Sequence, residues 1–291
     1  MLFANCHNHS TFSDGVHSPE KLVELAVKMG HKAIILTDHD TVRGDHFIRS
    51  AARKAGLLTL TGCEFSVLGP NNEDIHLLGL DFNAHNSQMQ ELLANGSGKQ
   101  RERSRMLFEI GLEKGTLRSG ITWNDVLERF PDHDYICNNH VFTLMMEKGI
   151  YTYDEYPEFF ESTFRPTAES RAFIKANNPY KVPRIEYTIE VIKKAGGVPV
   201  VAHPQGFENI ANDLISLGVM GFETRHPMLD DAEHKFFDDL CTNNNLYKMG
   251  GTDHSCVLGG FADRMPHYDV PPETGYVEEK DFMDLYYRRL G

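Results

Sequence analysis

The chain has 291 residues, with 42 acidic against 29 basic side chains and a formal charge of −13. At 33.0 kDa it is long enough to bury a core without disulfide staples, as one large domain or two smaller ones. The acidity weighs against a nucleic-acid polymer or an anionic membrane surface as main partner, and leaves room for a small phosphorylated ligand held by a few local charges.

Over residues 1–82 short apolar runs alternate with amphipathic stretches. LFANC reads as a strand, and SPEKLVELAVKMG as a helix with Ser18 at its N-cap, Pro19 in its first turn and Gly30 closing it. AIILT is a strand, TVRGDHFIRSAARKAG a helix ending at Gly56, and LLTLTGCEFSV and IHLLGLDF are two further strands. NAHNSQ and NGSGKQ bracket a short helix. From Arg101 to Arg171 the chain carries charges and aromatics without a β-branched run, and RERSRMLFEIGLEKG, TWNDVLERF, HVFTLMMEKG and YDEYPEFFEST read as short helices.

After NNPYKVP the alternation resumes: IEYTIEVIKKAGG (helix), VPVVAH (strand), ENIANDLISLG (helix), VMGFETR (strand), LDDAEHKFFDDLCTNN (helix) and LYKMGGTD (strand). The expected architecture is an α/β domain formed by residues 1–90 and 176–291, interrupted by a small α-helical insertion over 91–175. Two consecutive domains are the alternative. The basic RERSR cluster at 101–105 is read as a solvated helix face. The cysteines at 6, 63, 137, 241 and 256 are odd in number and form no CxxC pair, which fits reduced thiols. With no basic-then-apolar leader and no apolar run near the roughly 18 residues of a membrane span, a soluble cytoplasmic protein is expected.

The informative pattern is where metal-competent side chains fall. His7-Asn8-His9 follows the first strand and Asp38-His39-Asp40 the second; Glu64 lies at the end of the third, His203 follows VPVVA, and Asp253-His254 follow LYKMGGT. In a parallel α/β barrel the C-terminal strand ends meet on one face, where sites are built. His76 is the exception, because it begins its run. In an extended segment residues i and i+2 share a face, so His7 and His9 can ligate one ion, while Glu64 can bridge two. Imidazole and carboxylate donors suit Mn, Fe or Zn.

HNHSTFSDG, ILTDHDTV, TGCEFSV, HLLGL, VVAHP and GGTDHS occur in that order, and together they resemble the motifs of the polymerase and histidinol phosphatase (PHP) family. The resemblance covers residues 2–82 and 185–260, and is nearest to the small-metabolite phosphoesterases with a helical insertion. It implies a distorted seven-stranded (β/α) barrel and a cluster of two or three divalent metals. His7, His9, Glu64 and Asp253 would hold one metal; Glu64, His76 and His203 a second; Asp14 and His39 a third. The family usually ends in Asp-x-His, whereas this chain reads Asp253-His254-Ser255. Either His254 swings into the third site, or that site is weakened, which is the reading we favour.

The resemblance also extends to an Arg-x-His substrate contact in the insertion, where this chain has Asn138-Asn139-His140. His140 is the expected phosphate ligand or leaving-group acid, and Arg225 a compensating guanidinium. Asp38, Asp40 or His39 would orient ligands from behind, and His226 is expected to be structural.

The implied reaction is hydrolysis of a small phosphomonoester or diester by a metal-bridged hydroxide attacking phosphorus in line, with no covalent intermediate. Two alternatives are an exonuclease acting on nucleic-acid ends and a non-catalytic metal-binding regulatory module. Oligomeric state is not legible.

Overall fold

A computed structural model describes residues 3–253 and 275–288. His254, Ser255, Cys256 and His267, on which several expectations rest, lie outside the described residues. Among those described, β1 (Ala4–Asn5), β2 (Ala33–Ile34), β3 (Gly62–Leu68), β4 (Asp74–Leu80), β5 (Val198–Val201), β6 (Gly221–Arg225) and β7 (Tyr247–Gly250) form two sheets. β1 and β2 pair in parallel, and the other five lie in the order β3-β4-β5-β6-β7. Single bridges Leu36–Thr61 and His39–Glu64 join β2's extension to β3, and Cys6 N–H donates to the Gly250 carbonyl across the other seam. The architecture is therefore α/β with strands split between two sheets, and the ladders do not make one continuous seven-stranded barrel.

The all-parallel expectation fails at β4, for a local reason. Gly69 N–H donates to the Glu73 carbonyl across a tight turn with Asn72 at φ 65°, so β4 returns antiparallel to β3, pairing His76 with Ser66. It is antiparallel to β5 as well, and β5, β6 and β7 are mutually parallel. Reversal puts the start of β4 beside the C-terminal ends of its neighbours, and Ala202 N–H donates to the His76 carbonyl. The apparent exception of His76 is a consequence of the hairpin.

Helices α1 (Pro19–Met29) and α2 (Asp45–Ala55) pack Leu22, Val23, Ala26, Ile48 and Ala52 against Ile34 and Leu36. Ser18 caps α1 and Gly30 closes it at φ 82°, as its sequence signals require. α8 (Ile185–Lys194), α9 (Ala211–Ser216) and α10 (Asp231–Asn244) bury Ile189, Ile192, Leu214 and Phe237 on the five-stranded sheet. The opposite side holds Phe3, Leu78, Val200 and Phe282, the last from the C-terminal helix Glu279–Tyr287.

The segment between carries its own core. Helices α4 (Trp123–Arg129), α5 (Asn138–Glu147), α6 (Tyr156–Phe159) and α7 (Ala168–Asn177) accompany a separate cluster that includes Phe108, Phe142, Phe159 and Phe164. α3 (Ser87–Lys114) links the two regions as one helix of 28 residues. It runs straight through NGSGKQ, where the sequence suggests a break. Met89 and Leu92 join the sheet-side core, and Leu107 and Phe108 the helical one. Glycine is kept mid-helix because the backbone passes too close to its neighbours for a side chain: a β-carbon at Gly96 would collide with the Asp40 carboxylate. No described helix is long and apolar enough to cross a membrane, and Cys6, Cys63, Cys137 and Cys241 are free and buried.

Gly96→Val should therefore destabilise the protein by about 1–3 kcal/mol through overpacking, despite removing a helix-weakening glycine. Urea unfolding measures it, and an unchanged midpoint would contradict the close approach.

Candidate metal centre

The eight residues assigned to metal by resemblance come together. His7 and His9 follow β1, Asp14 lies in the next loop, and His39 follows β2. Glu64 is on β3, His76 on β4, His203 follows β5 and Asp253 follows β7. Three of them sit at or beside strained backbone: His203 (φ 29°), Asp253 (φ 49°) and Asp40 (φ 50°), next to His39, all take the left-handed region. Such conformations persist where surrounding structure over-determines them.

One focus lies between His7 Nε2, His9 Nε2, Glu64 Oε2 and Asp253 Oδ1. The two imidazole nitrogens are 3.2 Å apart. Each is 3.1 Å from Glu64 Oε2, and they lie 3.4 and 2.9 Å from Asp253 Oδ1. Donors at roughly 2.0–2.1 Å in a tetrahedron stand about 3.3 Å apart, so these distances of 2.9–3.4 Å are compatible with a four-coordinate cation. A second focus uses the other oxygen of Glu64. His76 Nδ1 and His203 Nε2 are 2.9 and 3.1 Å from Glu64 Oε1 and 3.2 Å from each other. Glu64 thus offers one oxygen to each focus. The third grouping is looser, with Asp14 3.6 Å from His9 Nδ1 and 3.7 Å from His39 Nε2.

The donor set fits a cation on independent grounds. Glu64 Oε2 and His9 Nδ1 are buried without a hydrogen bond, an arrangement that is costly unless something charged satisfies it. Burial opposes ionisation of Glu64, but His7, His39 and His76 outweigh it and hold the carboxyl well below its usual range. Burial likewise disfavours an imidazolium at His7, yet Glu223, Glu64 and Asp253 push its pKa well above normal. Protons balance these anions when nothing else does, and a divalent cation would replace them. His39 differs: burial, with His9 and His76 adding to it, pushes it down to about 4 and leaves a neutral imidazole.

Residue-by-residue reading missed Glu223. It is fully buried on β6, and its oxygens lie 3.0 and 3.1 Å from His7 Nδ1. It also accepts a 2.7 Å bond from the His203 backbone N–H. A proton on Nδ1 leaves the His7 Nε2 lone pair facing the first focus. The available signal was an acid inside an apolar strand, since a buried carboxylate needs partners. His226 is fully buried too. Its Nδ1 accepts from the Met228 N–H, so Nε2 carries the proton and faces Asp253 Oδ2 at 3.6 Å.

Three expectations require correction. His140 does not reach the site as an acid, because its nitrogens are committed to backbone. Nε2 lies 3.2 Å from the Thr11 carbonyl, and Nδ1 accepts from the Cys137 N–H at 3.2 Å. It locks the start of α5 onto the loop after His9, beside the bonds Cys137 Sγ to Ser13 O and Asn139 Nδ2 to Asp14 O. The Asp38 carboxylate makes no hydrogen bond to a metal-competent side chain among the described residues; it accepts from Ser10 N, Ser10 Oγ and Ser13 Oγ at 2.6–2.7 Å, and so shapes the loop after His9. Arg225 points away. A bulge between Glu223 and Arg225 reverses the inward-outward alternation, and the guanidinium meets the Thr224 carbonyl and, at 3.8 Å, Asp238.

A family model described as "PHP domain" matches residues 5–178. The chain is 28% identical to a 5'-3' exoribonuclease of Salmonella typhimurium over 69% of its length, and the match spans 65% of that relative. It is 24% identical to a phosphoribosyl 1,2-cyclic phosphate 1,2-diphosphodiesterase of Eggerthella lenta, covering 91% of this chain and 97% of that one. A solved structure from Bifidobacterium adolescentis, proposed to be a metal-dependent phosphoesterase, superposes with a TM-score of 0.74 at 22% identity, covering 99% and 96% of the two chains.

Glu223→Gln keeps the volume but leaves one acceptor for two donors, and should weaken metal affinity by about 10–100-fold. Equilibrium dialysis measures it, and wild-type affinity would remove the orienting role. Burial, with His133 adding to it, pushes His140 down to about 3. A folded value below the unfolded one of about 6.5 means the unfolded chain protonates first. The stabilisation is therefore whole above pH 6.5 and is lost as pH falls toward 3. With chelator present throughout, the stability advantage of wild type over His140→Gln should shrink by about 1.4 kcal/mol per pH unit below 6.5. A constant difference in urea unfolding would contradict this.

Proposed function

The chain belongs to the PHP domain family, and from that premise we propose that it is a metal-dependent phosphoesterase hydrolysing a small phosphate ester. The observation that carries this reading is the pair of donor foci sharing the Glu64 carboxylate, 3.1 Å from His7 and His9 on one side and 2.9 and 3.1 Å from His76 and His203 on the other. His7, His9, Glu64 and Asp253 would hold one cation; Glu64, His76 and His203 a second; Asp14 and His39 would contribute to a third. The mixed imidazole and carboxylate set suits Mn, Fe or Zn. When bound, such cations supply Lewis-acid polarisation of a phosphoryl group and activation of water.

The protein's own groups fit direct hydrolysis. Ser10 and Ser13 donate their hydroxyls to Asp38. Burial pushes the Cys137 thiol up to about 12 and the Cys63 thiol well above its ordinary value, so none of these side chains is prepared as a nucleophile. Glu223 holds His7 and the His203 backbone in register. The helical segment, which we read as an insertion in a distorted barrel, braces the Asp14 loop through His140, Cys137 and Asn139. The match spanning nearly all of both this chain and the cyclic-phosphate diesterase supports a small ester. A second reading, exoribonuclease, is favoured by the Salmonella relative.

Protein loaded with Mn, Fe or Zn and assayed on small cyclic and acyclic phosphate esters separates the two. Turnover with little dependence on ionic strength is expected. Degradation of 5'-phosphorylated RNA that falls steeply with salt, without small-ester turnover, would replace the first reading by the second. Glu64→Ala removes the shared ligand, so metal content should fall at both foci and kcat/KM by more than about 100-fold, beyond the effect of losing an orienting partner.

A further inference from the structure

The looser third grouping, His9 Nδ1 with Asp14 and His39 Nε2, is built on two arms of chain that the helical segment grips. We propose that Asp134 and Asn139 of that segment are positioning residues for it, so that a cation in the third grouping and the docked position of residues 134–140 stabilise each other. The inference rests on the metal-dependent reading above and deepens it by naming what controls the third site.

The first two foci are fixed from within the sheet. Glu64 and His76 are residues of β3 and β4, and Glu223 on β6 holds His7 and the His203 backbone. Asp14 and His39 lie outside the named strands, and each sits on an arm that meets the helical segment. On the first arm Asn139 Nδ2 donates to the Asp14 carbonyl. The other end of that amide is engaged too, since Asn139 Oδ1 accepts from the Tyr156 hydroxyl at 2.6 Å and from Asn138 Nδ2 at 2.9 Å. An amide with its oxygen held by two donors has its nitrogen aimed as well. The bonds of Cys137 Sγ to Ser13 O and His140 Nε2 to Thr11 O hold the rest of this arm.

On the second arm Asp134 accepts from Thr41 Oγ1 at 2.7 Å through one oxygen and from Arg43 Nε at 3.2 Å through the other. Arg43 is largely exposed, so the ion pair adds little stability by itself; what the fork fixes is register. It sets the next residue, Tyr135, against His39, ring centroids 6.1 Å apart and planes 20° from parallel. The same imidazole stacks on His9, 4.4 Å away and 25° from parallel, so its orientation is shared between the loop after β1 and the helical segment. In the third grouping Asp14 stands 3.6 and 3.7 Å from the two imidazole nitrogens, wider than the spacing of about 3.3 Å between donors on one four-coordinate ion. Closing that gap draws on both arms, and the helical segment is the body common to them. The coupling is reciprocal: whatever docking adds to metal affinity, metal adds to docking.

Titration with Mn²⁺, the free ion being counted by electron paramagnetic resonance, resolves the sites in order of affinity. Wild type should take up a last, weakest ion after two tighter ones. Asp134→Ala and Asn139→Ala should each weaken that last ion by about tenfold or more, the size of losing an outer partner of a ligand, and leave the two tighter ones unchanged. Asp134→Asn keeps an acceptor for Thr41 and should recover part of the loss. Arg129→Gln breaks an exposed ion pair with Glu147 inside the helical segment, 2.8 Å long, and should leave every affinity at the wild-type level. In wild type, amide hydrogen exchange over residues 134–140 should slow when the last Mn²⁺ is added to protein already holding two. Wild type that takes up only two ions, an equal loss in Arg129→Gln, or exchange that ignores the last ion would overturn the coupling and leave the hydrolytic reading standing. Coupling as expected in protein that hydrolyses no small phosphate ester would overturn the hydrolytic reading and keep the coupling.

Discussion

The structure turns on a single buried carboxylate. Glu64 is 1% exposed, yet its two oxygens face His7 and His9 on one side and His76 and His203 on the other. An anion at that depth is unfavourable alone, so every strand end around it contributes a compensating group. Five imidazoles converge on it, His39 Nδ1 among them at 3.2 Å from Oε2, and two are themselves held by acids: Glu223 behind His7, and Asp253 beside His7 and His9. The alternation of imidazole and carboxylate gives a cluster that could hold a metal ion. It also explains why the backbone tolerates left-handed conformations at His203 and Asp253.

Strand direction sets where these groups meet. Parallel neighbours deliver His9, His39, His203 and Asp253 from their C-terminal ends. The β3–β4 hairpin turns one strand around and so delivers His76 from its beginning. A parallel β4 would carry His76 to the opposite end of the sheet. The antiparallel pair thus completes the second focus, at the cost of the regular parallel pattern. The seams at Leu36–Thr61, His39–Glu64 and Cys6–Gly250 are single bridges or single bonds and not ladders. The chain is pulled out of regular pairing at the places where side chains turn inward.

The helical segment acts on the centre through its neighbours. It has its own hydrophobic cluster around Phe142 and Phe159, and α3 joins that cluster to the sheet without a break. From there α5 clamps the loop bearing Asp14, while α3 brings Lys99 Nζ to 3.9 Å from Asp40 Oδ2. A net acidic chain and a cluster that could hold a cation are compatible, because Glu64 and Glu223 are buried among imidazoles.

The amino-acid sequence by itself determined the helix ends at Ser18, Gly30 and Gly56, the alternation of strands and helices, and the candidate ligands His7, His9, Glu64, His203 and Asp253 at strand ends, while His76, Asp14 and His39 came from the family resemblance. Those follow from local chemistry: caps, periodicity and the HxH spacing leave their marks within a few residues. Contacts between distant segments leave none. That Gly96 continues a helix depends on Asp40 lying against it, and that Arg225 turns outward depends on a bulge against β7. That His140 spends both ring nitrogens on backbone depends on a loop more than a hundred residues earlier, at Thr11. Glu223 was visible only as an acid in an apolar strand until the fold set it between His7 and His203. Tertiary structure decided these because burial and partnership are properties of the assembled neighbours, and a side chain's role follows from what it is left facing once they are in place.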